Sequence, residues 1–134
     1  MDPTDLTIVE LAEAIRARQL SSVEAVSACL DRIARLGGKL HAFIGIDAEG
    51  ALATARQRDA EVAAGRSRGP LHGVPLAHKD LCRIVGFSTS CGTATPDYFR
   101  SDDECTAVAR LSEAGAITLE IGRASCRERV YDLV

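Results

Sequence analysis

The sequence predicts an α/β fold, and three observations lead to that prediction. Two short amphipathic segments with helix-capping starts come first in the chain. A short apolar segment interrupted by proline, Gly73–His78, has the length and composition of a strand. A further amphipathic segment then ends at Gly115 and gives way to the apolar run Ala116–Leu119. A helix followed by a short apolar strand is typical of α/β proteins.

Three helices are predicted in the first half of the chain. The first is expected over Thr7–Arg18, because its opening residues, TIVE, have the spacing of a capping box. A second begins after a cap at Ser21 or Ser22, and Gly37-Gly38 is expected to end it. The alanine-rich stretch 47–64 has few large aliphatic residues, so it predicts a third, more exposed helix.

The remaining elements alternate between extended segments and turns. Segment 41–46 can be extended, and a strand is predicted to begin after Pro75 and to end at Lys79. The stretch Gly86–Thr93 is small and polar with no regular period, so it is expected to be a loop that lines a site. Asp102 or Asp103 is expected to cap the last helix.

Composition and charge exclude several classes of protein. The chain has 134 residues, which suits a single domain, and its 46% apolar content suits a folded one. A net charge of -3 with no block of basic residues does not indicate nucleic-acid binding. No apolar run approaches the roughly 20 residues that span a bilayer, so no membrane partner is expected. The start of the chain lacks a secretion signal, which predicts a cytoplasmic location.

The five cysteines do not predict a disulfide framework or a metal site. Their number is odd, and none of them forms a C-x-x-C pair. We therefore expect idle or buried thiols and no bound metal. The alternative is a thiol nucleophile, Cys82 or Cys91, paired with His72 or His78. The third histidine is expected at the surface or at a helix end.

Lys79 is the most informative single residue for function. It follows an apolar strand directly and precedes a glycine- and serine-rich loop. Burial disfavours the ammonium form of lysine, so a lysine in such a pocket can be neutral near physiological pH and accept a proton from a nucleophile. The alternative is a lysine that extends to solvent or pairs with Asp80. Spacing alone does not decide between these two roles.

Three motifs carry a resemblance to the amidase signature family. They are, in chain order, Gly69–Asp80 (GPLHGVPLAHKD), Gly86–Gly92 (GFSTSCG) and Thr106–Ile117 (TAVARLSEAGAI). The resemblance runs from about Leu6 to Thr118, and the stretch from Gly-Val-Pro to Lys-Asp is its most specific part. It implies the first helices, strands and helix of an α/β/α sandwich, cut short in this chain.

The resemblance implies an amidase that hydrolyses or transfers carboxamides with a Ser, cis-Ser, Lys triad, without a cofactor. Lys79 matches the lysine of that triad, and hydroxyls of the loop residues Ser88, Thr89 and Ser90 are candidates for substrate contacts. Both family serines lie well downstream of the lysine, and nothing after Lys79 resembles their stretch. The chain is therefore expected to be an inactive fragment whose full-length relative takes a small-molecule amide.

Two alternatives remain beside the general amidase. One is a fragment of the A subunit of a glutamyl-tRNA amidotransferase, within the same family. The other is a small non-catalytic module that binds a partner through its first two helices, which would not need the strand and loop between Gly73 and Thr93. Strand edges left without neighbours favour association, so a homo-oligomer or a loosely packed state is also expected.

The end of the chain has a different character. Residues Ile121–Val130 (IGRASCRERV) resemble the translation of a widely used sequencing adapter, and a back-translation reproduces that adapter without a forced codon. The sequence therefore predicts a partial amidase domain over residues 1–120 and a non-native tail over 121–134. Such a tail is not expected to pack specifically against the rest of the chain.

Overall fold

The first two helices begin where the sequence predicts. In a computed structural model, which describes residues 2–92 and 102–122, a short 3-10 turn at Pro3–Asp5 precedes α1 (Ile8–Arg16) and α2 (Ser22–Leu40). Thr7 caps α1 and Ser21 caps α2, and both caps are closed capping boxes. Each box satisfies backbone donors of the first turn that have no partner within the helix.

The end of α2 corrects the predicted boundary. The helix continues through Gly37 and Gly38 to Leu40 and ends at His41, which is left-handed with φ 47°. Neither glycine adopts the positive φ of a terminating glycine. Leu36 and Leu40, before and after the glycines, line one open groove with α1 residues, and both leucines are exposed. His41 is exposed at the helix end, as expected.

The remaining elements complete an α/β architecture. They are β1 (Phe43–Ile46), α3 (Ala48–Ala63), β2 (Pro75–Lys79), α4 (Thr106–Glu113) and β3 (Ile117–Gly122). The described strands form one sheet in the order β1-β3-β2. β3 pairs parallel with β2, from Pro75 opposite Ile117 to Lys79 opposite Gly122, and antiparallel with β1. α4 connects the two parallel strands, so this part of the chain is a β-α-β crossover.

The apolar core joins the helices to this sheet. Val26 of α2, Ala51 and Ala55 of α3, and Ile117 and Leu119 of β3 form one buried cluster. A second cluster joins α1 to the start of β2. A third lies beyond Lys79 and contains Ile84, Val108 and Ile121.

Polar contacts between distant segments align the helices. The Asp59 carboxylate of α3 accepts hydrogen bonds from the backbone N–H groups of Ser22 at 2.6 Å and Val23 at 3.1 Å. A carboxylate is favourable there because the first N–H groups of a helix are unpaired and carry partial positive charge. Arg58, also on α3, is buried and donates to the Gly115 carbonyl at 3.3 Å. These contacts hold α3 against α2 and against the turn that precedes β3.

The cap of α4 differs from the prediction. Cys105 occupies the N-cap position, rather than Asp102 or Asp103. The Asp103 carboxylate pairs instead with the Arg83 guanidinium at 3.1 Å. Helix α4 therefore begins two residues later than a cap at Asp103 would place it.

Strand β3 extends past the predicted domain end at residue 120. Ile121 is only 2% exposed and belongs to the third core cluster, and Ile121 and Gly122 pair with His78 and Lys79. The expectation that nothing after residue 120 packs specifically is therefore wrong for these two residues. An apolar β-branched residue continues a strand whatever its origin. Residues 123–134 lie outside the described part of the chain, and their origin stays a prediction.

In residues 2–92 and 102–122, no helix has both the length and the apolar character needed to cross a membrane.

Candidate functional site

Lys79 ends strand β2 and begins a tight turn. Its carbonyl accepts hydrogen bonds from the N–H groups of Leu81 at 2.7 Å and Cys82 at 2.9 Å. Its side chain is exposed, which differs from the buried pocket expected for a neutral lysine. The described residues therefore do not supply the desolvation that a lysine base requires.

Asp80, the next residue, is fully buried and organises the loop that follows. Its carboxylate accepts hydrogen bonds from Ser90 N–H at 2.7 Å, from the Ser90 hydroxyl, and from Gly92 N–H at 3.4 Å. Its own backbone N–H donates to the Gly122 carbonyl at 3.0 Å, and its carbonyl accepts from Cys91 N–H at 3.1 Å. Asp80 therefore connects the ends of β2 and β3 to the loop.

The role of Asp80 was not predicted from the sequence, which suggested only an ion pair with Lys79. No such pair occurs among the described residues, because the Asp80 carboxylate is directed at the loop. One signal was present in the sequence. An ionised aspartate directly after a strand only accepts hydrogen bonds, and the loop of small polar residues that follows supplies backbone and hydroxyl donors.

The three candidate hydroxyls of the loop have different environments. The Thr89 hydroxyl is buried and donates to the Cys82 carbonyl at 3.0 Å. The Ser90 hydroxyl donates to Asp80, as described above. Both hydroxyl protons are therefore used to stabilise the loop. These are the same protons that Thr89 and Ser90 would donate to a substrate. Ser88 is exposed, and a substrate contact by these residues stays a prediction.

The histidines near the strand have partners other than the two candidate thiols. His78 is buried, with Nε2 3.1 Å from the Thr118 hydroxyl, and burial lowers its pKa. His72 Nδ1 accepts from Arg68 N–H at 3.0 Å, and its Nε2 lies 3.0 Å from the Arg58 carbonyl. Because Nδ1 accepts, Nε2 carries the proton and donates. The described contacts therefore bring neither ring to Cys82 or Cys91 as a thiol base.

The described ranges bring together no group of three or more histidine, cysteine, aspartate or glutamate side chains with metal-binding geometry. What the site presents is an amine, Lys79, at the carboxyl end of a parallel strand pair. Beside Lys79 lies the loop that the buried Asp80 carboxylate holds by hydrogen bonds. Ligands of open α/β sheets bind outside the carboxyl ends of the strands, so the location suits a reacting group.

Comparison with known proteins shows which family this chain is similar to. The profile of the Amidase family matches residues 24–130. The glutamyl-tRNA(Gln) amidotransferase of Azoarcus sp. strain BH72 has an A subunit that is 50% identical over 113 residues, which are 84% of this chain and 23% of that protein.

Solved structures agree with the sequence comparison. Peptide amidase from Stenotrophomonas maltophilia has a TM-score of 0.81 at 36% identity, over 88% of this chain and 24% of its own. Fatty acid amide hydrolase has a TM-score of 0.83 at 26% identity, over 90% of this chain and 21% of its own. The chain thus spans about a quarter of the length of these relatives.

Proposed function

Because this chain belongs to the amidase family, we propose that it is the N-terminal part of an enzyme that hydrolyses carboxamide C–N bonds, with Lys79 as its base. The observation that carries the proposal is the position of Lys79 at the carboxyl end of β2, beside a loop that Asp80 holds in place. The proposed substrate is a small-molecule amide. We propose a cytoplasmic location for the enzyme. We also propose that its reaction needs no cofactor.

The mechanism requires two serines that this chain does not supply. Neutral Lys79 would take a proton from a bridging cis-serine, which would take one from a nucleophilic serine as that serine attacks the amide carbonyl. Backbone N–H groups would stabilise the oxyanion, and the proton would return to the leaving amine. Water would then release the acyl group. Without a nucleophile to attack the amide carbonyl, the base cannot start the reaction. We therefore expect the 134-residue chain to be inactive by itself.

The exposure of Lys79 means that the proposal requires further chain to cover this residue. A general base of this kind must lose most of its contact with water, and the described residues leave Lys79 exposed. The relatives are about four times as long, so much of their chain has no counterpart here to cover the lysine. The outer position of β2 among the described strands also leaves an edge for further pairing, by the rest of such an enzyme or by a second copy.

The test compares this chain with a longer product of the same gene that includes a downstream serine-rich region. We expect no ammonia or aryl amine release by the 134-residue chain from a primary amide or an anilide. In the longer protein, Lys79→Ala should lower kcat/KM by about 10²–10⁴-fold, the usual contribution of a general base. The matched control is Lys39→Ala, the other lysine, which is exposed on α2 and should leave kcat/KM unchanged. Equal effects of the two substitutions, or turnover by the short chain, would contradict the proposal.

A second candidate is the A subunit of a glutamyl-tRNA amidotransferase, which the 50% identity to such a protein favours. The longer protein distinguishes the two. Turnover of small amides by the protein alone supports the amidase. Amide transfer only with glutamyl-tRNA and further subunits present supports the amidotransferase.

A further inference from the structure

Two cysteines that are far apart in the sequence, Cys82 and Cys105, lie together beyond the end of β2. Cys105 N–H donates to the Arg83 carbonyl at 3.1 Å, so its backbone runs directly beside the segment that contains Cys82. Each thiol lies close enough to the other to influence its pKa. Both side chains pack against the cluster of Ile84, Val108 and Ile121 and are partly exposed. Neither thiol has a part in the mechanism proposed above.

The two thiols have opposite electrostatic environments. Cys105 is the N-cap of α4, and the backbone N–H groups of that helix start, Val108 first, lower its pKa. Burial raises the pKa of the Cys82 thiol. In such a pair, the thiol with the lowered pKa is expected to attack an oxidant, and its neighbour is placed to convert the oxidised product to a disulfide.

We propose that Cys82 and Cys105 form a reversible intramolecular disulfide when the protein reacts with hydrogen peroxide. The Cys105 thiolate attacks one peroxide oxygen, the O–O bond breaks, and hydroxide leaves, which gives Cys105 sulfenic acid. The Cys82 sulfur then attacks the Cys105 sulfur, and the sulfenic oxygen leaves as water with the Cys82 proton. Over both steps the two thiols lose two electrons and peroxide is reduced to two waters.

The disulfide would change the segment next to Lys79. Cys82 N–H donates to the Lys79 carbonyl, so Cys82 belongs to the turn that Lys79 begins. A covalent bond from Cys82 to the start of α4 fixes that turn to the helix that connects β2 and β3. Oxidation of the pair would thereby restrain the turn that contains Lys79 and Asp80. This coupling bears on catalysis only if the proposed function holds, whereas formation of the disulfide does not depend on it.

The experiment maps the cysteines of the full 134-residue chain after a short exposure to stoichiometric hydrogen peroxide. Remaining thiols are blocked with N-ethylmaleimide, and the protein is digested without reductant and analysed by mass spectrometry. We expect a cross-linked peptide pair that joins Cys82 to Cys105, with Cys29 fully blocked. Dithiothreitol should return both thiols to the blockable form. The same oxidation in concentrated denaturant is the control, and it should lose the preference for this pair.

Two variants sharpen the result. Cys91→Ser removes the exposed cysteine of the neighbouring loop and should leave the cross-link intact. Cys105→Ser should abolish the cross-link and slow the oxidation of Cys82. Cross-linking of Cys82 to Cys91 or to a second copy would overturn the proposal. So would blocking of Cys82 and Cys105 as complete as that of Cys29. Both of these outcomes are read from the unsubstituted chain, so they do not depend on the folding of a variant.

Discussion

At the scale of single residues, one buried carboxylate, that of Asp80, holds the loop of the candidate site. Asp80 is completely buried, yet its carboxylate has hydrogen-bond donors from two residues of the loop. A buried carboxylate is tolerated only where such donors compensate for the loss of water. Because those donors belong to the loop beside Lys79, the same contacts that stabilise Asp80 also determine the shape of the candidate site.

Asp80→Asn is expected to lower the free energy of unfolding by about 1.5–3 kcal/mol, the usual worth of hydrogen bonds to a charged group. The amide keeps one acceptor oxygen but turns an N–H donor toward the donors of Ser90 or Gly92. Urea unfolding measures the change. Asp103→Asn is the control, because Asp103 is in an exposed ion pair with Arg83 and should cost about 1 kcal/mol or less. Similar losses for both variants would argue against a loop held by Asp80.

The ion pair of Glu61 predicts that the free energy of unfolding depends on pH. A bidentate ion pair with Arg68, with a shortest N–O distance of 2.6 Å, lowers the pKa of Glu61 from 4.5 to about 2. A carboxyl with a lowered pKa in the folded state contributes stability above its unfolded pKa and loses it as the pH falls. Glu61→Gln should therefore destabilise the chain at pH 7, and the difference from the unsubstituted chain should shrink steadily between pH 4.5 and pH 2.

Urea unfolding of both proteins at pH 7, 4 and 3 measures this difference. Glu113→Gln is the control, because Glu113 is exposed near the end of α4 and in no ion pair among the described residues. A difference for Glu61→Gln that does not change over this pH range would show that the ion pair does not form in solution.

At the scale of whole elements, the glycines differ in effect according to the backbone conformation that each adopts. The sequence predicts that α2 ends at Gly37 and Gly38, but the helix continues through both residues. Helix propensity differs by only about 1 kcal/mol per residue between glycine and alanine, so glycines that keep helical backbone angles do not by themselves end a helix. In contrast, Gly73 has a φ of +80° and lies against Ser22, where a side chain has no room.

Gly38→Ala is expected to stabilise the chain by about 0.5–1 kcal/mol, because Gly38 is helical and a methyl group there meets nothing within 4 Å. Gly73→Ala is the matched opposite. Its Cβ would collide with the Ser22 hydroxyl and its φ is unfavourable, so it should destabilise by about 2 kcal/mol or more. Thermal unfolding of both variants measures the changes. A loss of stability in Gly38→Ala would show that α2 does end at the glycines in solution.

At the scale of the whole molecule, β3 is the element on which the described fold depends. It is the middle strand of the described sheet, and it contributes to two of the three core clusters. Its last residues, Ile121 and Gly122, lie beyond the predicted domain end, so the position of any boundary in this region can be measured directly.

Two truncations locate that boundary. Removal of 123–134 should change the free energy of unfolding by no more than about 0.5 kcal/mol if the tail is not native to the fold. Removal of 121–134 should cost about 2 kcal/mol or more, because it also deletes the buried Ile121 and its pairing with His78. Equal stability of the two truncated chains would contradict the packing of Ile121. A loss of several kcal/mol on removal of 123–134 would contradict the adapter interpretation.

The sequence alone predicted the features that depend on residues close together in the chain. The capping boxes at Thr7 and Ser21 involve residues three apart, and the strand that ends at Lys79 follows from its own composition. The family resemblance added the role proposed for Lys79. Such features can be predicted from the sequence because their contacts join residues that are close together in the chain.

Only the tertiary structure decided the features that require distant segments to meet. Two of these features are hydrogen bonds, from the loop to Asp80 and from the start of α2 to Asp59. The others are the proximity of the Cys82 and Cys105 thiols and the extent of β3. Each depends on which surfaces the core brings together, and the burial of apolar area that drives this assembly has no direction of its own. The pattern of one segment therefore shows that it will be buried, but not which partner it will contact.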